Sequence, residues 1–287
     1  MPQKLAILGA TGLLGRPVAQ ELLAAGYEVT LLGRHPNHLR HLFPAVRVVE
    51  ADLRNPDSLR RGLAGQEALY LNLSVRQTEK PTDFHTETHG LRNLLPIARE
   101  LGIRRVGYLA SLVMRYQGMN GFRWWVFDVK HEAVRLLKES GIPYLIFYPS
   151  TFLESFRLQR QGPFLTLGGT SDVRMGFITA HDYGRQVARA FALPAGESRE
   201  YVVQGPERLT YAEAARRYVE HVPEKLRVVT APVGVLQFLG LFSPQLNYAG
   251  HILEALNRYP EQFEAAETWR ELGTPTTTVE EFARRGK

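Results

Sequence analysis

No cysteine occurs among the 287 residues. Disulfides, thiolate nucleophiles and cysteine-ligated metals are thereby excluded. Long hydrophobic runs are missing too. The longest apolar stretch, Ala231 to Phe242, is interrupted by Pro232, Gly234, Gln237 and Gly240. It is too short and too broken to span a bilayer, so no membrane span is expected and the stretch should pack within a lobe. The apolar Leu5 to Leu8 is cut off by glycine and is too short for a signal peptide, and a cytoplasmic protein is expected. Nor is there a run of Lys and Arg. The net charge of +6 is dispersed, which argues against a nucleic-acid partner but leaves positive charge to attract a phosphorylated ligand. Repeats and low-complexity segments are absent. The apolar share, 44%, is ordinary for a globular protein, and the length suits one large α/β domain or a cofactor domain with a smaller lobe.

What is present begins at Leu5-Ala6-Ile7-Leu8-Gly9-Ala10-Thr11-Gly12-Leu13-Leu14-Gly15. Four consecutive apolar residues read as a buried parallel strand. Three glycines at a spacing of three follow, and then a helical pattern opens with Val18, Leu22 and Leu23 and closes at Gly26. A dinucleotide needs this arrangement. Its pyrophosphate sits against the positive end of a helix, where side chains would keep the backbone amides away. A bare strand-to-helix turn would not need three glycines. The site residues expected here are Gly9, Thr11, Gly12, Leu13, Leu14 and Gly15.

The second strand, Glu28 to Leu32, sets the choice of cofactor. An NAD-binding fold places an acid about 20 positions past the glycines, where it accepts the ribose hydroxyls. Here the positions read Leu31-Leu32-Gly33-Arg34, with Glu28 at the far end of the strand. Arg34, with His38 beside it, suits a 2′-phosphate, so NADP is favoured over NAD. His35, His38 and His41 fall in a short helix without a carboxylate partner and are read as solvated or phosphate-facing, not as metal ligands. Val46 to Glu50 is a third strand. Asp52-Leu53 follows it, with Asp52 placed to bond the adenine amino group, to cap the helix near Pro56, or both. Ala68 to Leu71 is a fourth strand, ending in Asn72-Leu73-Ser74-Val75. Leu73 and Ser74 are expected beside the cofactor, where small residues let the backbone approach. A helix from about Phe84 to Leu101 carries His85 and His89 at i, i+4, with Glu87 central between them, which is not a zinc-protease pattern.

Arg105 to Leu109 is the fifth strand, and Ser111 stands at its carboxyl end, where ligands bind in open α/β sheets. In the helix from about Trp124 to Ser140, Lys130 has Val126, Phe127, Ala133 and Val134 at i±3 and i±4, all apolar. It should lean inward, to hold the nicotinamide ribose or polarise a substrate carbonyl. Tyr144 to Tyr148 is the sixth strand, with Pro149, Ser150 and Thr151 at its outer end; Tyr148 to Thr151 complete the expected cofactor contacts. The alternation gives a doubly wound parallel-sheet Rossmann fold. Residues 1–156 form the cofactor domain on this reading. Residues 157–287 return to the sheet over about 177–204 and otherwise build a smaller substrate lobe. In that part Gly162 to Gly176 reads as hairpin or lid, Thr210 and Glu213 as a capping box, and Val228-Val229, Val233 to Leu241 and Gln245 to Asn257 as a helical lobe.

The glycine stretch, Arg34, Asp52-Leu53 and Phe127-Asp128-x-Lys130 together resemble the NmrA-like atypical short-chain dehydrogenases. Leu91-x-Asn93-Leu94-Leu95, Tyr108-Leu109-Ala110-Ser111 and Gly141-Ile142-Pro143-Tyr144 fit the same group, and the similarity covers residues 1 to about 156. The usual acid of short-chain dehydrogenases is a Tyr four residues before the Lys; here that position is Val126. The resemblance therefore implies two kinds of protein. Isoflavone-reductase-like enzymes and quinone reductases work without that Tyr, with a lysine implicated in the former. Other relatives bind NADP(H) as redox sensors. The expectation is an NADPH-dependent reductase of a small quinone, enone or other carbonyl, a monomer or homodimer, with Lys130 and Ser111 at its chemistry. A non-catalytic NADP(H) sensor or accessory subunit is the alternative, and an epimerase-like enzyme of nucleotide sugars a weaker one.

Overall fold

The computed structural model describes residues 3–232, 234, 240 and 243–286. The first half alternates strand and helix: β1 (Lys4–Leu8), α1 (Gly15–Ala24), β2 (Glu28–Gly33), α2 (Pro36–Leu42), β3 (Arg47–Glu50), α3 (Pro56–Leu63), β4 (Ala68–Leu71), α4 (His89–Glu100), β5 (Arg105–Leu109), α5 (Trp125–Glu139) and β6 (Tyr144–Pro149). The chain continues through α6 (Ser155–Leu158), β7 (Arg160–Gln161), β8 (Phe164–Gly168), β9 (Arg174–Phe177), α7 (Ala180–Ala192), β10 (Arg199–Val203), β11 (Glu207–Thr210), α8 (Tyr211–His221) and β12 (Arg227–Ala231). The last helices are α9 (Pro244–Arg258), α10 (Ala266–Leu272) and α11 (Val279–Arg284).

Seven parallel strands form the central sheet in the order β10-β6-β5-β4-β1-β2-β3. This is a Rossmann sheet. Its inner strands β1, β2, β4, β5 and β6 are buried on both faces, which is why they read as continuous apolar runs rather than alternating ones. The edge strands β3 and β10 are partly exposed. The two-residue period then assigns each side chain to a layer. Ala6 and Leu8 join a core with α3, α4 and α5, whereas Leu5 and Ile7 join one with α1 and α7. The strand order reverses between β1 and β4, and the carboxyl edge at such a reversal is the general place for ligands in sheets of this kind.

Past β6 the chain builds a third apolar cluster from Phe156, Phe177, Tyr211, Tyr218 and Phe282, between two small sheets and α8 and α11. Val228 and Val229, read as helical-lobe residues, lie instead in β12, where Val228 pairs with Leu165 in a parallel ladder. Their β-branched side chains suit a pleated surface better than a helix. The expected helix from Phe84 starts only at His89. The residues before it are held otherwise: the His85 N–H donates to His89 Nδ1, and the His85 ring bonds Glu79 and the Pro81 carbonyl. The stretch 233–242 lies, apart from Gly234 and Gly240, outside the described residues. The capping box expected at Thr210 is formed, and the structure adds a second one at Thr278 with Glu281.

Candidate functional site

The carboxyl ends of β1 through β6 bring Gly9, Arg34, Asp52, Leu73, Ser74, Ser111 and Ser150 to one edge of the sheet. The three glycines there do three different jobs. Gly9 has φ +94°, and a Cβ on it would lie 2.1 Å from the Asn72 carbonyl oxygen. Gly15 packs helix against strand, since its Cβ would lie 2.1 Å from the Gly9 carbonyl oxygen. Gly12 is exposed, and its Cβ would meet nothing closer than 3.5 Å. No protein neighbour therefore requires Gly12; only an external group approaching the backbone would. Helix α1 carries no side-chain cap at Leu14 and no acid in its first turn, so its positive end is left for an anion. Thr11 and Leu13 are exposed beside it, Leu13 by 39%. Beneath the turn lies the Asn72 side chain, whose amide oxygen is buried and unpartnered. These features fit a dinucleotide pyrophosphate.

Arg34 follows the last residue of β2 and is exposed, with no hydrogen bond or ion pair to any described residue. Asp52 is half-buried and does not cap α3. Asn55 does, accepting the Asp57 and Ser58 N–H groups, while Asp52 Oδ1 accepts the Arg54 N–H at 3.0 Å. Its other oxygen remains for a ligand. Leu53 and Leu73 turn their side chains into the core, and only their backbone faces the edge, whereas Ser74 is exposed.

Lys130 does lean inward. Its Nζ lies 2.7 Å from Glu87 Oε1 and 5.7 Å from the centre of the Tyr108 ring, and its side chain keeps 13% exposure. Glu87 is wholly buried and also accepts the Tyr108 hydroxyl at 2.6 Å; its second oxygen has no partner. Burial first, and then the Glu87 charge, push the Tyr108 phenol well above its ordinary value. A carboxylate held this way fixes the lysine side chain in place. Ser111 is half-buried, and its hydroxyl makes no hydrogen bond with any described residue. Val126 is buried in the core at 2% exposure, so nothing from its position reaches the edge.

The end of β6 differs from expectation in its side chains. The Tyr148 hydroxyl donates to Glu200, the Ser150 hydroxyl donates to Glu261, and the Thr151 hydroxyl reaches Met175. All three hydroxyls are engaged within the protein, and the backbone is engaged too: the Ser150 N–H donates to the Val203 carbonyl, and the Thr151 carbonyl accepts the Ile178 N–H. Glu261 is itself buried and further bonded by the Gly176 N–H and Gln204. Sequence reasoning missed Glu87 and Tyr108 as partners of Lys130. The lone acid between His85 and His89 was a signal, but nothing local tied it to a lysine 43 residues away.

The sequence model of the NAD(P)H-binding family matches residues 9–194, more than half of the chain. An oxidoreductase of Bacillus subtilis, YesF, is 27% identical over 75% of this chain and 72% of its own length. The photosystem II assembly factor Ycf39 of Cyanophora paradoxa is 24% identical over 80% of this chain and 72% of its own. Among solved structures, the NADPH-dependent quinone oxidoreductase of Escherichia coli in complex with NADPH superposes with a TM-score of 0.78. It is 20% identical, with 98% of this chain and 99% of that one covered, a likeness of fold.

Proposed function

Because the chain belongs to the NAD(P)H-binding family, of the NmrA-like, atypical short-chain dehydrogenase kind, we propose that it is an NADPH-dependent reductase of a small quinone, enone or other conjugated carbonyl compound. The observation that carries this reading is a glycine turn in which no protein neighbour requires Gly12, together with an inward-leaning lysine fixed by a buried carboxylate. The backbone amides of the glycine turn and α1 hold the pyrophosphate. Arg34 pairs with the ribose 2′-phosphate in a charge-assisted fork. Asp52 takes the adenine amino group on its free oxygen, and the backbone at Leu53, Leu73, Ser74 and 148–151 lines the rest. When bound, the reduced nicotinamide supplies a hydride. Lys130 holds the nicotinamide ribose and presents its positive charge to the acceptor oxygen, and the Ser111 hydroxyl donates to the same oxygen.

Thermal unfolding with each cofactor tests the specificity: NADPH should raise the melting temperature more than NADH, and Arg34→Ser should weaken NADPH binding about tenfold, the loss of roughly 1.4 kcal/mol from one charge-assisted contact. Stronger stabilisation by NADH would overturn the NADP assignment. Turnover is tested with a panel of quinones, enones and aldehydes, of which at least one should oxidise NADPH. Val126 and the likeness to an assembly factor favour a second reading, a cofactor-dependent accessory protein. It predicts tight NADPH binding, no turnover with any acceptor, and association with a partner protein that changes with cofactor redox state.

A further inference from the structure

We propose that Tyr248, carried on α9, is the proton donor of this site, giving its hydroxyl proton to the acceptor oxygen as the hydride arrives. The inference rests on the reductase reading. The phenol reaches the site from outside the first half of the chain. Helix α9, started by Ser243 as its cap and Pro244, packs on the 3-10 turn Leu112–Tyr116 that follows Ser111 directly. There the Tyr248 ring meets Trp124 edge-on, with centroids 4.9 Å apart, at the residue that precedes α5 and Lys130. Tyr248 is partly exposed, and its hydroxyl makes no hydrogen bond with any described residue. A phenol packed among protein groups normally finds a partner. Among the described residues this one has none, and we assign it to the acceptor.

Its electrostatic surroundings suit a donor. Burial, and after it the Glu87 carboxylate, push the Tyr248 phenol up to about 12, so it keeps its proton at neutral pH. The neighbouring candidates are committed elsewhere. The Tyr108 hydroxyl donates to Glu87, and His251, stacked on Trp124, donates its Nδ1 proton to the Asn247 carbonyl. Lys130 supplies the counter-charge. In the step, hydride and its electron pair pass from the reduced nicotinamide dinucleotide to the acceptor carbon. The electron pair of the acceptor double bond moves onto oxygen and forms a new O–H bond with the Tyr248 proton. The phenolate left behind takes a proton back from water.

Two kinds of acceptor separate this role from packing. A quinone or enone needs both hydride and proton, whereas a cationic triarylmethane dye takes hydride alone and becomes neutral. In Tyr248→Phe, which keeps the ring against Trp124, NADPH affinity read by cofactor fluorescence should stay within about twofold. Quinone or enone turnover should fall on the order of 100-fold, the usual worth of a general acid, and dye reduction less than about threefold. An equal loss with both acceptors, or no loss with either, overturns the proposal. A wild-type protein that reduces neither acceptor overturns the reductase reading and the donor with it. A fluorinated tyrosine built in at 248 and titrated by NMR gives a readout without turnover. Its titration midpoint should drop in Glu87→Gln, and an unmoved midpoint would show that phenol and carboxylate do not face each other.

Discussion

At the scale of single residues, the Lys130–Glu87 contact changes how a lysine substitution is interpreted. Glu87 has no exposure, and Lys130 is its only charged hydrogen-bond partner among the described residues. Removing one member of a buried pair strands the other charge, which costs about 3–5 kcal/mol, while removing both can be nearly neutral. Lys130→Met should therefore lose about 3 kcal/mol in urea unfolding, at the low end because the lysine keeps some exposure. Lys130→Met with Glu87→Leu should recover most of that loss. If the double substitution is as unstable as the single one, the pair is not what fixes the lysine. Any activity lost in Lys130→Met has to be judged against the double variant, since a stability loss of this size lowers rate by itself. The same contact explains why the apolar neighbours of Lys130 misrepresent its surroundings: α5 faces a carboxylate that arrives from another element.

At the scale of the strand-turn-helix element, the glycines separate folding from binding. Gly15→Ala places a methyl 2.1 Å from the Gly9 carbonyl oxygen, so β1 and α1 must move apart. A loss of about 1–3 kcal/mol follows, the usual cost of overpacking. Gly12→Ala has room, with its nearest neighbour at 3.5 Å and a backbone conformation open to any residue. Its stability should change by less than about 0.5 kcal/mol. The methyl would stand where the pyrophosphate approaches, so NADPH affinity should fall at least tenfold while denaturation curves overlay. Unchanged affinity in Gly12→Ala would remove the cofactor from this turn. The spacing of the glycines was legible from the residues alone, but which one answers to packing and which to a ligand was not, because that depends on Asn72 at the end of another strand.

At the scale of the whole molecule, the parallel sheet was legible because strands buried on both faces write themselves as apolar runs, and each helix between them ends at a recognisable punctuation. The small sheets were not. Val228 pairs with Leu165 across more than half a hundred residues, and no local pattern encodes such a partner. Which residues stand at the carboxyl edge was legible, and what their side chains bond was not. Tyr148, Ser150 and Thr151 are at the expected edge, yet their hydroxyls serve Glu200, Glu261 and Met175. Such long-range ties also set how the two halves answer to pH. Glu154, just past β6, is 4% exposed; one oxygen accepts the Ala180 N–H that begins α7, and the other is buried without a partner. Burial raises its carboxyl above the ordinary 4.5, with the Ala180 hydrogen bond opposing. A folded-state value above the unfolded one means that the native protein holds this proton more tightly. The contribution of Glu154 to stability is then complete below about pH 4.5 and is lost as pH rises through the folded value. Glu154→Gln keeps the acceptor for Ala180 and removes the ionisation. Urea unfolding from pH 5 to 8 should show the wild type losing stability relative to the variant as pH rises, with the variant the more stable at pH 8. If the variant instead loses ground with rising pH, the carboxyl is stabilised as an anion and the tie between β6 and α7 is an ionic one.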